Sequence, residues 1–247
     1  IQEVVLTGVH AGGYGNDINS SLFQLIQSIL NNTTVPRIRI ASLEPWDLHE
    51  NFFSLFSDKR LMPHMHLPLQ SGCDSVLKRM ARRCKTNDFK KIINEARNQI
   101  ENFNITTDII VGFPGETNDE WQKSIKFIEE IGFSHIHIFS YSRRQGTKAS
   151  SFNNQVDPSI KKERSKELHK LTKLMRSEIL SDEIGNEYSV LWESKDNHGN
   201  WTGYTDNFIK VILKNHKKNL QNKISKVKIT GISADYNHCV ANLLYQF

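Results

Sequence analysis

Short apolar runs rich in β-branched residues alternate with longer segments whose apolar residues recur every three or four positions. The short runs predict five strands, at residues 3–6, 37–41, 64–69, 105–111 and 135–141. Between them, positions such as Leu22, Ile26 and Ile29, or Trp121 and Ile128, predict amphipathic crossover helices. Strands joined by helical crossovers pair in parallel, so the pattern predicts part of a (β/α) barrel or a doubly wound sheet.

Polar or glycine-containing sequence follows every predicted strand. These segments are residues 7–8, 42–45, 70–72, 112–116 and 142–144. Each segment alone fits ordinary turn geometry. However, the carboxyl ends of parallel strands converge on one edge, and α/β proteins bind their ligands there. We therefore expect the functional site at this edge.

The pattern changes after residue 157. Leu168 and Met175 belong to the apolar stripe of a long predicted helix, which Asp157 is placed to cap. After Gly185, short strands predict a small β-barrel, at residues 188–192, 208–213, 226–229 and 240–244. The predicted organisation is a partial α/β barrel at 1–156, a connecting helix at 157–184 and a small all-β barrel at 185–247.

Basic residues are concentrated in two places. The net charge is +5, and residues 78–91 alone carry seven basic residues against one acidic residue. Such a stretch suits a solvated helix face or a phosphate-contacting surface about equally. The small barrel has eight lysines against five acidic residues, with Trp201, Tyr204 and Phe208 near its loops. These rings could stack on nucleic-acid bases or could form the barrel core.

Several classes of protein do not fit the composition. The apolar runs are far shorter than the roughly 20 residues that cross a bilayer, and no signal segment opens the chain, so we expect a cytoplasmic protein without membrane contact. Cys73, Cys84 and Cys239 fit neither a disulfide framework nor a CxxC metal site. The pairs His64/His66 and His135/His137 place imidazoles on one face of a strand. Because no carboxylate run completes a ligand set, lumen-facing or structural histidines are the favoured interpretation over a metal site.

Four motifs give the chain a family resemblance. They are Ser-Leu-Glu-Pro-Trp at 42–46, His-Leu-Pro-Leu-Gln-Ser-Gly at 66–72, Thr-Asp-Ile-Ile-Val-Gly-Phe-Pro-Gly-Glu-Thr at 107–117 and Tyr-Ser-Arg-Arg-Gln-Gly-Thr at 141–147. Together they resemble the radical S-adenosylmethionine (SAM) enzymes, in particular the tRNA methylthiotransferases that act on N6-threonylcarbamoyladenosine. The resemblance covers essentially the whole chain, and the tail resembles that family's RNA-binding TRAM domain.

The family's cluster motif, CxxxCxxC, is absent from this sequence. The resemblance therefore implies the C-terminal part of such an enzyme, which starts at the second barrel strand. We expect the isolated chain neither to bind a [4Fe–4S] cluster nor to cleave S-adenosylmethionine, because the cluster ligands lie outside it. No catalytic and no metal-ligating residue is assigned within the chain.

The resemblance implies methylthiolation of C2 of N6-threonylcarbamoyladenosine at tRNA position 37, beside the anticodon, with S-adenosylmethionine and [4Fe–4S] clusters as cofactors. It places the cofactor against nine residues, Thr7, Gly8, Ser42, Glu44, Gln70, Ser71, Val111, Gly112 and Phe113. The residues expected to contact the tRNA anticodon stem-loop are Arg79, Arg82, Arg83, Lys85, Arg144, Trp201, Tyr204 and Lys210. A rim salt bridge is an equally good interpretation of Arg144. A non-catalytic RNA-binding module and, more remotely, a barrel metallohydrolase remain as alternatives.

Overall fold

Five parallel strands and four α-helices form the first part of the computed structural model, which describes residues 1–246. The strands are β1 (Glu3–Leu6), β2 (Arg37–Ile40), β3 (His64–His66), β4 (Asn104–Val111) and β5 (His135–Ser140). The helices are α1 (Leu22–Asn32), α2 (Asp74–Arg79), α3 (Thr86–Gln99) and α4 (Asn118–Ile131). All five predicted strands are present, and β3 ends at His66 instead of continuing to residue 69.

The strands follow chain order in space. β1 pairs with β2, and β3, β4 and β5 form a three-stranded parallel sheet. Two isolated parallel bridges, Ile38 with Leu61 and Ser42 with His66, join the two sheets. The result is one curved arrangement of five strands with the crossover helices on its outer face.

Alternation along the strands separates an apolar outer face from a polar inner face. On β4, Ile105 and Ile109 are buried in the same core as Phe89 of α3 and Trp121 of α4. The intervening side chains, Thr106 among them, face the inside of the curve, which we call the lumen. A polar lumen with helices only outside fits the partial-barrel alternative and not the doubly wound sheet.

A long helix leads to a closed five-stranded barrel. Helix α5 (Pro158–Asp182) is capped by the side chain of Asp157, as predicted. The barrel strands are β6 (Glu187–Lys195), β7 (Trp201–Thr205), β8 (Lys210–Leu213), β9 (Lys223–Ile232) and β10 (Cys239–Gln246). Around the barrel they run in the order β10-β8-β7-β6-β9. Strand β7 escaped the sequence prediction.

Two arginines of the lumen fasten the small barrel to the α/β part. Arg37 and Arg39 are 3% and 4% exposed, and both donate hydrogen bonds to Glu3 on the neighbouring strand. Arg37 Nη2 also donates to the Thr205 carbonyl at 2.9 Å, and Arg39 Nη1 to the Asp206 carbonyl at 3.2 Å. The loop between β7 and β8 is therefore held at the amino-terminal ends of β1 and β2.

Phe208, at the end of this loop, lies at the lower end of the lumen. Its ring stacks on His64 with centroids 4.6 Å apart and on Tyr204 at 4.8 Å. The guanidinium of Arg39 lies over the same ring at 4.7 Å. Phe208 has the left-handed φ of 68°. The lumen is thus open at the carboxyl ends of the strands, and at the other end the Phe208 ring, which is 39% exposed, covers it only in part.

Within residues 1–246, no helix has both the length and the apolar character that a membrane crossing requires.

Candidate active site

An open cavity of about 590 Å³ lies where β3, β4 and β5 end. Its lining includes Gln70, Asp108, Phe113, Tyr141, Ser142 and Arg144. Three strand-end segments therefore converge as the topology predicts. We call this space the upper cavity.

Gln70 enters the upper cavity from an unusual backbone conformation. Its φ is 73°, in the left-handed region. Its amide donates to the Asp108 carbonyl at 2.8 Å, and its carbonyl accepts from the Ile110 amide at 2.9 Å. These two bonds to β4 hold the residue in that conformation. A non-glycine residue held there is a common feature of functional sites.

The turn after β4 is built around a buried ion pair. Glu116 Oε2 accepts from the Gly112 amide at 2.9 Å and from Arg164 Nη1, on α5, at 2.9 Å. The Glu116 and Arg164 side chains are 1% and 7% exposed. Burial raises the pKa of Glu116, while the Gly112 amide and Arg164 oppose that shift.

Gly112 itself cannot be replaced without strain. Its φ is +72°, and a Cβ atom there would lie 2.2 Å from the Lys161 side chain. The turn therefore needs glycine for conformation and for space. Its geometry brings Phe113 to the upper cavity, where the ring makes edge contacts with Tyr141 and Phe152.

Tyr141 lines the upper cavity and carries a buried polar atom that the sequence analysis did not assign. Its hydroxyl is buried and has no hydrogen-bond partner among residues 1–246. Buried polar groups are normally paired, so this hydroxyl needs a partner that residues 1–246 do not supply. The residue lies inside the quoted motif at 141–147, but its sequence neighbourhood does not show that the hydroxyl lacks a partner.

Two predicted cofactor residues are turned away from the upper cavity. Ser71 is 1% exposed, and its hydroxyl accepts from the Cys73 amide at 3.3 Å. Val111 is fully buried on the outer face, and its carbonyl accepts from the Tyr141 amide. These groups support the loops, so the predicted contact of Ser71 and Val111 with the cofactor needs correction.

The remaining predicted cofactor residues lie at the ends of β1 and β2. Thr7 and Gly8 are exposed and line a different cavity, of about 470 Å³, with Leu22 and Ile40. Ser42 is exposed after β2. The structure brings Gln70 and Phe113 together but does not place Thr7 and Gly8 in the same cavity.

The lumen carries a cluster of two histidines and a carboxylate. His66, Asp108 and His137 have ligand atoms within 4.8 Å of one another. His66 Nε2 is 3.3 Å from Asp108 Oδ1, and its Nδ1 is 2.9 Å from the Thr106 hydroxyl. The absence of a carboxylate, our sequence-based reason against a metal site, does not hold, because β4 supplies Asp108. The same three residues equally suit hydrogen bonds to a polar ligand in the lumen.

Thr106 also connects this cluster to His64. The distance from its hydroxyl to His64 Nε2 is 3.1 Å. His64 is 4% exposed, and burial holds its pKa well below the usual range, so the ring is neutral. The expectation that these histidines face the lumen or are structural agrees with their placement.

Two residues that were predicted to contact RNA, Arg79 and Arg82, form ion pairs within the chain. Arg79 forms a bidentate salt bridge with Glu120, with N–O distances of 2.8 and 2.7 Å. Arg82 forms another with Glu44, at 3.0 and 2.5 Å, and its guanidinium lies over Trp46. Pairing with carboxylates removes both arginines from the set of free phosphate ligands. It also corrects the placement of Glu44 as a cofactor residue, because its carboxylate is committed to Arg82.

Trp201, another residue that was predicted to contact RNA, lies inside the small barrel. The side chain belongs to the barrel core, is 5% exposed and donates from Nε1 to the Lys218 carbonyl at 3.0 Å. Its ring face is therefore closed to a nucleic-acid base. Tyr204 is half-buried against Phe208, and Lys210 lies beside them on one cavity wall. Arg83, Lys85 and Arg144 are exposed.

The comparison with protein families decides the class of this site. The model of the radical SAM superfamily matches residues 3–128, which include β1 to β4 and the turn that contains Gly112. The chain belongs to the radical SAM superfamily. Members use S-adenosylmethionine and a [4Fe–4S] cluster, and the upper cavity lies at the strand ends where such a fold binds its ligands.

Curated relatives narrow the comparison. The chain is 36% identical to threonylcarbamoyladenosine tRNA methylthiotransferase MtaB of Bacillus subtilis, over 96% of this chain and 54% of that protein. It is 40% identical to MtaB of Thermotoga maritima, over 85% and 48%. A Staphylococcus aureus tRNA-2-methylthio-N(6)-dimethylallyladenosine synthase is 33% identical, over 92% and 45%. This radical SAM chain spans about half the length of the curated relatives it matches.

A solved structure supports the fold. Coproporphyrinogen III oxidase HemN of Escherichia coli, described as a radical SAM enzyme, aligns with a TM-score of 0.57 at 10% identity. The alignment covers 93% of this radical SAM chain and 54% of HemN. At this identity the likeness extends to the fold alone.

The two implied cofactors fit this radical SAM chain differently. Cys73, Cys84 and Cys239 are all buried, and burial raises the pKa of Cys84 to about 11 and of Cys239 to about 12. Neutral, separated thiols do not suit a cluster, which needs thiolate ligands. The upper cavity, in contrast, is lined by the side chain of Gln70 and by the rings of Phe113 and Tyr141, which suit the polar and apolar groups of S-adenosylmethionine.

Proposed function

We propose that this chain takes part in methylthiolation of C2 of N6-threonylcarbamoyladenosine in tRNA, at position 37 beside the anticodon. The observation that carries the proposal is 36–40% identity over 85–96% of the chain to two enzymes named for that reaction. The relative named for the dimethylallyl substrate has 33% identity. The upper cavity is where the chain binds S-adenosylmethionine.

Within the upper cavity, the Gln70 side chain is the main polar binding group, and the Tyr141 ring forms part of the wall. The side-chain amide of Gln70 can both donate and accept hydrogen bonds, as the two hydroxyl groups of a ribose require. The edge of the Phe113 ring provides an apolar surface beside Gln70. When bound with its cluster, S-adenosylmethionine supplies the radical chemistry, and the residues of this chain bind and orient it.

The tRNA surface of this proposal combines the exposed part of the basic stretch with the small barrel. Arg83 and Lys85 follow α2 near the carboxyl ends of the strands and are exposed. The five-stranded closed barrel suits a TRAM-like RNA-binding domain. Arg144, on the rim of the upper cavity, is placed to meet a phosphate of the RNA that enters the lumen.

Salt dependence of RNA binding tests this surface. Replacing Arg83 or Lys85 by alanine should reduce the slope of log affinity against log salt by about one for each phosphate that the side chain neutralises. Lys59→Ala is the matched control, because Lys59 is 83% exposed and pairs with Glu101 at the opposite end of the strands. The measurement is fluorescence anisotropy of a labelled anticodon stem-loop at several salt concentrations. If Arg83→Ala and Lys85→Ala give the same slope as Lys59→Ala and the unaltered chain, Arg83 and Lys85 are not part of the RNA surface.

A chimera tests the proposed reaction in cells. This chain would replace the matched segment of the B. subtilis enzyme in a strain that lacks its own copy. We expect mass spectrometry of tRNA nucleosides to show the methylthio derivative of N6-threonylcarbamoyladenosine. Gln70→Ala in the chimera should strongly reduce it. A well-expressed chimera that leaves the nucleoside unmodified would contradict the proposal.

A further inference from the structure

A second cavity, of about 410 Å³, lies between the amino-terminal half of β5, helix α5 and the small barrel. Its walls include His135, Arg176, Tyr204, Phe208 and Lys210. We call it the lower cavity, and we propose that it binds the carboxylate of the N6 substituent of the target adenosine. This inference rests on the proposed function and deepens it by naming the specificity site.

Two cations of the lower cavity, Arg176 and Lys210, form no salt bridge with any of residues 1–246. Arg176 donates from Nη1 to His135 Nδ1 at 3.1 Å and from Nη2 to the Asn237 carbonyl at 2.7 Å. Both acceptors are neutral. The Asn237 carbonyl carries no charge, and burial lowers the pKa of His135 to about 4. A half-buried guanidinium held by neutral groups is a preorganised anion site.

The Asp235 carboxylate, which also lies near Arg176, forms no salt bridge with it. The Asp235 carboxylate accepts from the Asn237 amide at 3.2 Å and from the Asn237 side chain at 2.7 Å. It therefore fastens the loop before β10, whose Asn237 carbonyl in turn binds Arg176. The loop positions the guanidinium and leaves its charge available.

The lumen joins the two cavities. Asp108 lines the upper cavity and His137 the lower one, and both belong to the cluster with His66. On β5, Ser140 in the upper cavity and His135 in the lower are about 16 Å apart at roughly 3.3 Å per residue. The bonds at C2 and C6 of adenine diverge at an obtuse angle, so an adenine in the lumen with C2 toward the upper cavity can direct its N6 substituent toward the lower cavity.

The chemistry of the two candidate substituents differs at this point. A threonylcarbamoyl group ends in a carboxylate, whereas a dimethylallyl group is a hydrocarbon. A carboxylate paired with Arg176 gains charge-assisted hydrogen bonds, while a hydrocarbon would desolvate two cations without compensation. The lower cavity should therefore prefer the acid by roughly 10- to 100-fold.

Nucleoside binding to this chain tests the inference without enzymatic turnover. Nuclear magnetic resonance titrations would compare N6-threonylcarbamoyladenosine, its methyl ester, N6-dimethylallyladenosine and adenosine 5′-monophosphate. We expect the free acid to bind more tightly than the ester and the dimethylallyl compound. Arg176→Met should abolish the preference and Lys210→Met reduce it. Lys170→Met, an exposed charge on the same helix, should preserve it.

The outcomes separate the inference from the proposed function. Equal affinity for acid and ester, or a preference that survives both Arg176→Met and Lys210→Met, would overturn the lower cavity as the carboxylate site, while methylthiolation in the chimera could still stand. Adenosine 5′-monophosphate binding as tightly as the free acid would make it a phosphate site instead. Lack of binding by all four compounds would also overturn it. Circular dichroism confirms that each variant is folded, and Arg176→Lys should retain part of the preference.

Discussion

Replacing Glu116 by alanine should lower the free energy of unfolding by about 3–5 kcal/mol, because it leaves the Arg164 guanidinium buried without its counter-charge. The same change removes the acceptor of the Gly112 amide. Urea denaturation followed by circular dichroism measures the loss. The turn that contains Phe113 depends on this pair, so Glu116→Ala should also open the wall of the upper cavity.

Glu116→Gln is the control for shape. The glutamine carbonyl can still accept from Gly112 and Arg164 while the charge is lost, so we expect a smaller cost, of about 1–3 kcal/mol. Equal stability of Glu116→Ala and the unaltered chain would show that the Arg164 charge is compensated by other groups.

Replacing Glu3 by alanine should cost about 3 kcal/mol, since Arg37 and Arg39 both depend on this carboxylate for charge compensation in a buried position. The Glu3 side chain is 17% exposed, which favours the lower end of the range expected for a broken buried pair. Their remaining acceptors are carbonyls, those of Thr205 and Asp206 among them. Loss of Glu3 should therefore also loosen the small barrel.

An exposed pair provides the control for Glu3. Glu101→Ala removes a carboxylate that is 78% exposed beside Lys59, and exposed pairs contribute at most about 1 kcal/mol. Hydrogen exchange of the β7–β8 loop separates the two variants, because only Glu3→Ala should increase it. Unchanged exchange in Glu3→Ala would contradict the role of the lumen arginines in fastening the small barrel.

Local patterns predicted the α/β part well because each signal is local. The β-branched run at residues 105–111 fits a strand, and the repeat through Trp121 and Ile128 fits a helix with an apolar stripe. Strand β7 was missed because Gly203 lies in the middle of it, and glycine is unfavourable inside strands. In the structure Gly203 lies inside the strand, where a Cβ atom would meet the Leu191 carbonyl at 2.3 Å. The sequence of one strand does not show how closely a neighbouring strand approaches it.

For the site residues, too, the prediction was limited by contacts between residues that lie far apart in the sequence. Glu44 and Arg82 are 38 positions apart, and their ion pair forms only when the loop after β2 meets the segment after α2. Gln70 and Phe113 were predicted correctly to lie near each other because both follow parallel strands. Trp201 was expected to contact RNA, with the barrel core as the alternative, and its burial depends on barrel closure. Topology thus predicted the place of the site, and long-range contacts decided which side chains face it.

The most direct measurement of the central claim is product analysis in vitro. The B. subtilis enzyme with its matched segment replaced by this chain would be reconstituted with iron and sulfide and incubated with S-adenosylmethionine, a reductant and an anticodon stem-loop that carries N6-threonylcarbamoyladenosine. We expect mass spectrometry to show a methylthio group in place of the C2 hydrogen of that nucleoside. No product from a folded, cluster-loaded chimera, under conditions in which the unaltered B. subtilis enzyme is active, would contradict the account.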